Sequence, residues 1–466
     1  MDSWGLGGHG GGSAARGAPR RGAGRGRRRR WLLGGLTGAA GGVLAACAAG
    51  EGAAGGGAGA PPARGPVTVQ ILDRNPGDAL IPDYDRAFQR FTQAHPSIAV
   101  ERLDTGGQDR DKKFQLLAAA GQPADVDWMD QANVGPFREQ GLLRALDPLI
   151  KRDRYALDDF YPMAQKIYQF RGQTFGILHT TSPRIYVYNA ALFQKKGVPL
   201  PAEDWTWNEL KDALTRLTGG AGEDATFGGA MGRDLEAAGF VYQNGGKVVD
   251  DLFAPTRALL DTREALEGVQ FLVDLDVKLG LSAGDPKRSG GLTAAQLWSA
   301  GRLGIYHTSI WSHKVWARDL PFEWDQVVPS RNKARASMLS SSGHIVAQPS
   351  RNPDEAWELV KELNSKETMS ALAATGGLML GRRSVSASDA FLRAVPRPAN
   401  MKAFAQAMDY AYPTRVCNGL SVDFYDLTVK QMAPVWAGTQ SVPSAMTEVV
   451  RQANAMFAEY AARTGK

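Results

Sequence analysis

Between residues 67 and 466 the chain keeps switching between a strand period and a helix period, and this alternation limits what it can fold into. Val67–Leu72 is a short β-branched run, as in a buried strand. Tyr84, Ala87, Phe88 and Phe91 then fall at i, i+3, i+4 and i+7, which is one face of a helix. Ile98-Ala99-Val100 follows Pro96 and reads as a second strand. Residues 114–120 read as a helix that Gly121-Gln122-Pro123 stops. Residues 125–129 read as a strand and 134–143 as a helix. Strand and helix in strict succession argue for an α/β fold, with parallel sheets and crossover helices.

The pattern continues downstream. Residues 175–178 and 185–188 are strand candidates. Thr206 and Glu209 form a capping box, in which each side chain satisfies a backbone N–H at the helix start. Trp207, Leu210, Leu214 and Leu217 give that helix its apolar face. Short strands are expected at 304–306, 327–328 and 342–348. Asn352-Pro353-Asp354-Glu355 opens a helix with a cap, a first-turn proline and two acids at the positive dipole end. A long C-terminal helix carries Met446, Val449, Val450, Ala453, Phe457 and Tyr460 on one stripe. The sequence contains no internal repeat and no heptads.

The first sixty-six residues follow different rules. They hold 22 of the 54 glycines, too little apolar mass to offset the entropy of ordering. Residues 25–30 are a positive stretch, and residues 31–46 are weakly apolar. As a helix the latter would span about 24 Å, short of a bilayer core of roughly 30 Å. Leu44-Ala45-Ala46 then precedes Cys47. A positive start, a short apolar stretch and small residues before the cut describe a signal peptide over 1–46. The last four residues resemble the bacterial lipobox, whose cysteine is acylated. Arg28-Arg29-Arg30-Trp31-Leu32 also resembles a twin-arginine export signal, so Tat and Sec routes both stay open. Residues 47–66 read as a flexible Gly/Ala/Pro tether.

This leader also explains the charge. The whole chain is formally +6, but residues 1–46 hold eight Arg and one Asp. The rest therefore carries 46 basic and 47 acidic residues, a net of −1, and offers no footprint for nucleic acid. Two cysteines rule out a disulfide scaffold, and Cys417 reads as a small core residue.

Motifs for catalysis or metal binding are missing. The six histidines include no H-E-x-x-H pair, and none is expected to ligate a metal. The chain has no G-x-S-x-G elbow, phosphate loop or strand-anchored G-x-G-x-x-G. Ser340-Ser341-Ser342-Gly343-His344 is not read as a nucleophile–base pair. Asp125 and Asp127 have D-x-D metal spacing; the plainer reading is a strand cap and a structural acid. No cofactor is expected. The positive signal is aromatic. Nine of the eleven Trp lie beyond the leader, and Trp128, Trp311, Trp316 and Trp324 sit beside expected strand ends. Sugar ring faces stack on such side chains, while carboxylates and amides take the hydroxyls.

Several segments in order resemble one family. Residues 88–101 (FQRFTQAHPSIAVE) are similar to its first helix and second strand. Residues 125–150 (DVDWMDQANVGPFREQGLLRALDPLI) resemble its G-L-L…L-D-P-L-I stretch. Residues 171–197 (RGQTFGILHTTSPRIYVYNAALFQKKG) resemble its most specific signature, with His179 for the usual Pro and Val187 for the usual first Tyr. The helix beginning Thr206-Trp207, the Asn244-Gly245-Gly246 turn, residues 301–311 (GRLGIYHTSIW), 342–363, Gly376-Gly377-Leu378-Met379-Leu380 and Val435-Trp436-Ala437-Gly438 complete the match. On these grounds the chain resembles family 1 of the extracellular solute-binding proteins of bacterial ABC importers, the sugar-binding group that includes maltose-binding protein.

The resemblance implies a periplasmic-binding-protein-like fold of two α/β lobes, 67–180 with 344–381 and 184–340 with 382–466. Three chain crossings would form the hinge, with a ligand in the cleft between the lobes. The residues just past strand ends are then the expected ligand contacts. Asp73, Arg74 and Asn75 follow the first strand, and Met129, Asp130 and Gln131 the third. Thr181, Ser182 and Arg184 lie at the first crossing, Ser342 and Gly343 at another. Tyr242 and Asn244 come from the second lobe, Trp311 is the stacking platform, and Tyr425 lies near the C-terminal helix. The expected protein is a monomer, lipid-anchored through Cys47 to the outer face of the cytoplasmic membrane. It is expected to bind a saccharide without turning it over and deliver it to the permease subunits of an ABC importer. Two alternatives share the sequence features. A secreted carbohydrate-active enzyme would need two carboxylates about 5–10 Å apart, and the same fold could bind a polyol phosphate, a polyamine or a metal complex.

Overall fold

The computed structural model describes residues 66–73, 81–105, 109–233, 236–283 and 289–465. The expected signal peptide, the tether, Cys47, Arg74 and Asn75 lie outside them.

The chain opens as a repeated strand–helix unit. Strands β1 (Val67–Leu72), β2 (Ile98–Leu103) and β3 (Val126–Asp130) run parallel. Helices Ile81–Ala94 and Arg110–Ala119 connect them. Tyr84, Ala87, Phe88 and Phe91 are buried, so the helix face read from the sequence is the one that packs. A small hairpin, β4 (Gln169–Phe170) and β5 (Gln173–Thr174), precedes β6 (Ile177–Pro183). Then follow β7 (Ile185–Asn189), β8 (Phe227–Ala230), β9 (Leu303–Thr308), β10 (Trp324–Val327), β11 (Ser337–Val346) and β12 (Ala411–Pro413).

These strands build two main sheets. The first has the order β12-β11-β3-β1-β2, with β6 also paired to β11; the second has the order β10-β7-β9-β8. Neither is purely parallel, as the alternation alone suggests. In the first, β11 runs antiparallel to both β3 and β6. In the second, β7 runs antiparallel to β9 and β10. The chain passes from one sheet to the other between Pro183 and Ile185.

β11 is the connecting element. It starts at Ser337, five residues ahead of the strand expected at 342–348. Ser337–Leu339 pairs with β12, Ser342–Val346 pairs with β3, and β6 lies along both stretches. The β6 register slips between Ser342 and Gly343, a bulge that bends the strand and increases its twist. Strand β12 falls in the part of the chain expected in the second lobe, yet it is hydrogen-bonded into the first sheet.

Local signals fare unevenly. The Thr206–Glu209 capping box forms on helix Trp207–Leu217. Helix Val442–Thr464 buries the whole predicted stripe. Asn352, expected as a cap, instead donates to the Thr68 carbonyl at 3.3 Å, and helix Pro353–Leu363 starts without a side-chain cap. The helix expected at 134–143 is Gln131–Glu139, one turn earlier, because Asp130 caps it.

Candidate functional site

The carboxyl edge of the first sheet gathers most of the expected polar residues. Asp73 follows β1 and is 3% exposed; its Oδ2 accepts from Arg102 Nη2 at 2.7 Å. At the end of β3, Asp130 caps the next helix through Ala132 N at 2.9 Å and stays partly exposed. Gln131 reaches across the sheet: its Oε1 accepts from Ser341 Oγ at 3.1 Å, and its Nε2 donates to Thr414 Oγ1. Ser342 pairs with Asp130 across the β11–β3 ladder and is half-buried.

Next to these residues is a cluster that the sequence reading missed. Arg110 Nε stands 3.6 Å from Asp127 Oδ1, and Arg110 Nη2 stands 3.8 Å from Asp111 Oδ1. Asp111 Oδ2 accepts from Asn133 Nδ2 at 2.5 Å. Burial raises the Asp127 carboxyl to about 7 against the pull of Arg110, and raises Asp111 to about 6. Burial also raises Asp130, while its bond from Ala132 N and the nearby Arg110 and Arg415 oppose the rise. Burial works against the Arg110 charge, yet Asp127, Asp111, Asp130 and Asp73 hold it above its ordinary value. Neither Asp127 oxygen completes a hydrogen bond. Buried ionisable groups with shifted titration gather where a protein binds or reacts.

Asp125, the other half of the D-x-D, is structural. It accepts from Gln70 N at 2.8 Å and from Ser350 Oγ at 2.5 Å, tying β1 to the segment after β11. Among the described residues no group of three or more His, Cys, Asp or Glu could hold a metal ion. His179 and His344 are buried and share Asn364, while His313 is buried against Gln326 at 2.7 Å. Cys417 is a buried free thiol that burial pushes up to about 12.

Several expected contacts hold the fold together instead. The Met129 side chain is fully buried in the core. Thr181 Oγ1 donates to the Ser340 carbonyl at 3.4 Å, and Ser182 Oγ accepts from Ile310 N at 3.3 Å; both residues are buried. Arg184 is half-buried, and its backbone N donates to the Met338 carbonyl at 2.7 Å. A Cβ on Gly343 would meet Tyr168 Cε1 at 2.7 Å and the Ile177 carbonyl oxygen at 2.8 Å, so close packing requires glycine there. Asn244 is 1% exposed; it donates to the Glu264 carbonyl and Glu267 and accepts from Asn332 Nδ2 at 2.8 Å. It shapes the turn that Gly245 completes at φ +80°.

Of the four tryptophans beside strand ends, Trp128, Trp316 and Trp324 are buried. Trp311 is partly buried against the core, in a short turn after β9, where the Ser182 hydroxyl holds the preceding residue's N–H. Tyr242 and Tyr425, far apart in sequence, line one cavity of about 70 Å³. Tyr242 stacks on Tyr412 at 4.2 Å between ring centroids, and Arg415 sits 3.9 Å from the centroid of Tyr425. Thr414 lines the same cavity and accepts from Gln131, so the cavity adjoins the polar edge of the first sheet.

Residues 78–370 match the model of the bacterial extracellular solute-binding proteins. The chain belongs to this family. The family lies outside the cytoplasm and consists of binding proteins. Three solved structures are similar across most of the chain. An ABC substrate-binding protein of Listeria monocytogenes in complex with cycloalternan is 21% identical, with a TM-score of 0.74, covering 84% of this chain and 99% of its own. A sugar-binding protein of Xanthomonas citri is 16% identical, with a TM-score of 0.74, covering 86% and 100%. An ABC transporter solute-binding protein of Thermotoga lettingae bound with α-D-tagatose is 19% identical, with a TM-score of 0.71, covering 84% and 100%. The periplasmic-binding-protein-like α/β fold expected from the sequence is therefore the fold of the chain. Among the described residues no helix is long and apolar enough to cross a membrane.

Proposed function

We propose that the protein is an extracytoplasmic substrate-binding lipoprotein that captures a sugar or oligosaccharide and passes it to the permease of an ABC importer. One observation carries this reading. Asp130, Gln131, Ser342, Asp111 and Asn133 gather at one sheet edge, with the partly exposed Trp311 following β9 of the other sheet. Carboxylates, amides and hydroxyls suit sugar hydroxyls, and an indole suits a sugar ring face. The solved relatives bound to cycloalternan and to tagatose support the ligand class. In this reading the sheets belong to two lobes that close on the ligand, and Arg74 and Asn75 contribute from the first. Cys47 carries the lipid.

A panel of mono- and oligosaccharides screened by thermal shift, then calorimetry, tests the proposal. A saccharide that raises the melting temperature and binds with no product formed over hours is expected. Steady appearance of a cleaved or transferred sugar would replace capture with catalysis. A panel without any stabilising saccharide, against a polyol phosphate or polyamine that does stabilise, would move the ligand out of the sugars.

A further inference from the structure

The cavity shared by Tyr242 and Tyr425 has the wrong chemistry for a bare sugar. Its wall is built largely from apolar side chains, including Val241, Met338, Phe424, Met432 and Met446. Methionine walls adapt to flexible apolar ligands. Two features keep it from being an ordinary core void. Ser421, 1% exposed, lines the cavity, and its Oγ has no hydrogen-bond partner. Val429, also in the wall, is 40% exposed and marks the rim. A buried unmatched hydroxyl in an apolar chamber is costly unless a ligand completes it.

The charges on the wall are not equivalent. Arg233 is bound in a two-bond pair with Asp276 at 2.6 and 3.2 Å. Arg415 has no carboxylate within ion-pair distance among the described residues, and its guanidinium lies on Tyr425. Thr414 and Arg415 line the chamber on the side of the polar edge. Thr414 takes the bond from Gln131 on one side, while the Arg415 charge reaches Asp130.

We infer that the ligand is amphipathic: an oxygen-rich head at the Asp130–Gln131 edge carries an apolar chain that enters the chamber behind Thr414 and Arg415, with Ser421 bonding an oxygen near the head of that chain. This rests on capture of a hydroxyl-rich head at the sheet edge and adds the class of its substituent, an alkyl or acyl glycoside over a plain saccharide. Such a molecule would be held at both ends, and the chain would supply apolar burial that the polar edge cannot.

The test uses the purified full chain and two homologous probe series at monomeric concentrations. One is methyl, butyl, hexyl and octyl β-D-glucopyranoside; the other is the 1,2-alkanediols of matching length, which read the chamber whatever sugar the edge prefers. Affinity is expected to rise up to about fourfold per added methylene in the diol series. Ser421→Phe fills the chamber, and Val429→Trp obstructs its rim from an exposed position. Each is expected to abolish the chain-length increment. Should Ser421→Phe unfold the helix start, Val429→Trp carries the test alone. A diol series with no increment, or one unchanged by the folded variants, overturns the inference. Saccharide binding without the increment leaves capture standing and removes the chain. The increment without any saccharide binding keeps the chamber and removes the sugar head.

Discussion

Trp311 is partly buried against the core, on a turn whose start is fixed by a hydrogen bond from another strand, which suits a residue that must be rigid and still reachable. Stacking on a sugar face of about 60 Å² would contribute about 1.5 kcal/mol, close to tenfold in affinity. Trp311→Ala should weaken saccharide binding by about that factor with little change in melting temperature. A core tryptophan would behave differently, losing about 3–5 kcal/mol of stability on truncation. Measuring the ligand-free melting temperature and the dissociation constant on one preparation separates the two. Asp127 and His313 make a second prediction, about pH. The Asp127 carboxyl is raised to about 7 from an ordinary 3.8, so the native state keeps a proton that the unfolded chain loses. Its contribution is full below 3.8 and is lost as the pH rises through 7. Burial lowers His313 to about 4 from 6.5, so its contribution is full above 6.5 and is lost as the pH falls through 4. Asp127→Asn removes only the first dependence. Between pH 5 and pH 8 the variant should gain about 2–3 kcal/mol relative to the parent chain, at about 1.4 kcal/mol per unit. Urea unfolding at both pH values measures it; an equal difference at the two would mean that Asp127 titrates as an ordinary carboxylate.

At the scale of elements, β11 decides more than any helix. Gly343 sits at its bulge with no room for a methyl group. Gly343→Ala should cost about 1–3 kcal/mol through overpacking, while affinity in the folded fraction stays unchanged. Lost affinity at undiminished stability would return Gly343 to the ligand contacts. Elements with a strong local signature were legible in the sequence. β1, the Thr206 capping box and the stripe of helix Val442–Thr464 each depend on neighbours in the chain. The candidate site was legible in part, for a related reason. Being just past a strand end led to polar groups gathered at one sheet edge, Asp73, Asp130, Gln131 and Ser342, but the same rule also gave Met129, whose side chain is fully buried in the core. Asn244 spends its amide on the turn itself, donating to the Glu264 carbonyl and Glu267 and accepting from Asn332. The Arg110–Asp111–Asp127 cluster was missed because a helix start must fold back on β3 to create it. The bond from Gln131 to Thr414 joins residues 283 apart, a distance no local pattern spans.

For the molecule as a whole, anchoring and folding give separate predictions. If Cys47 carries the lipid, Cys47→Ala should release the protein from membranes into the medium, and its continued sedimentation with membranes after detergent-free centrifugation would refute the anchor. One lipid chain holds a protein only marginally, so firm attachment points to more than one acyl chain on that cysteine. Folding is governed by the ten-residue β11, which pairs with β12 at one end and β3 at the other, with β6 alongside. Neither end can melt without stripping hydrogen bonds from the same continuous strand. Two lobes joined only by flexible linkers would melt separately. This chain should instead absorb heat in a single endotherm, with calorimetric and van't Hoff enthalpies that agree. Ligand should move that endotherm as one peak rather than split it. The strand that carries β12 at one end and β3 at the other denies either end of the first sheet an independent life.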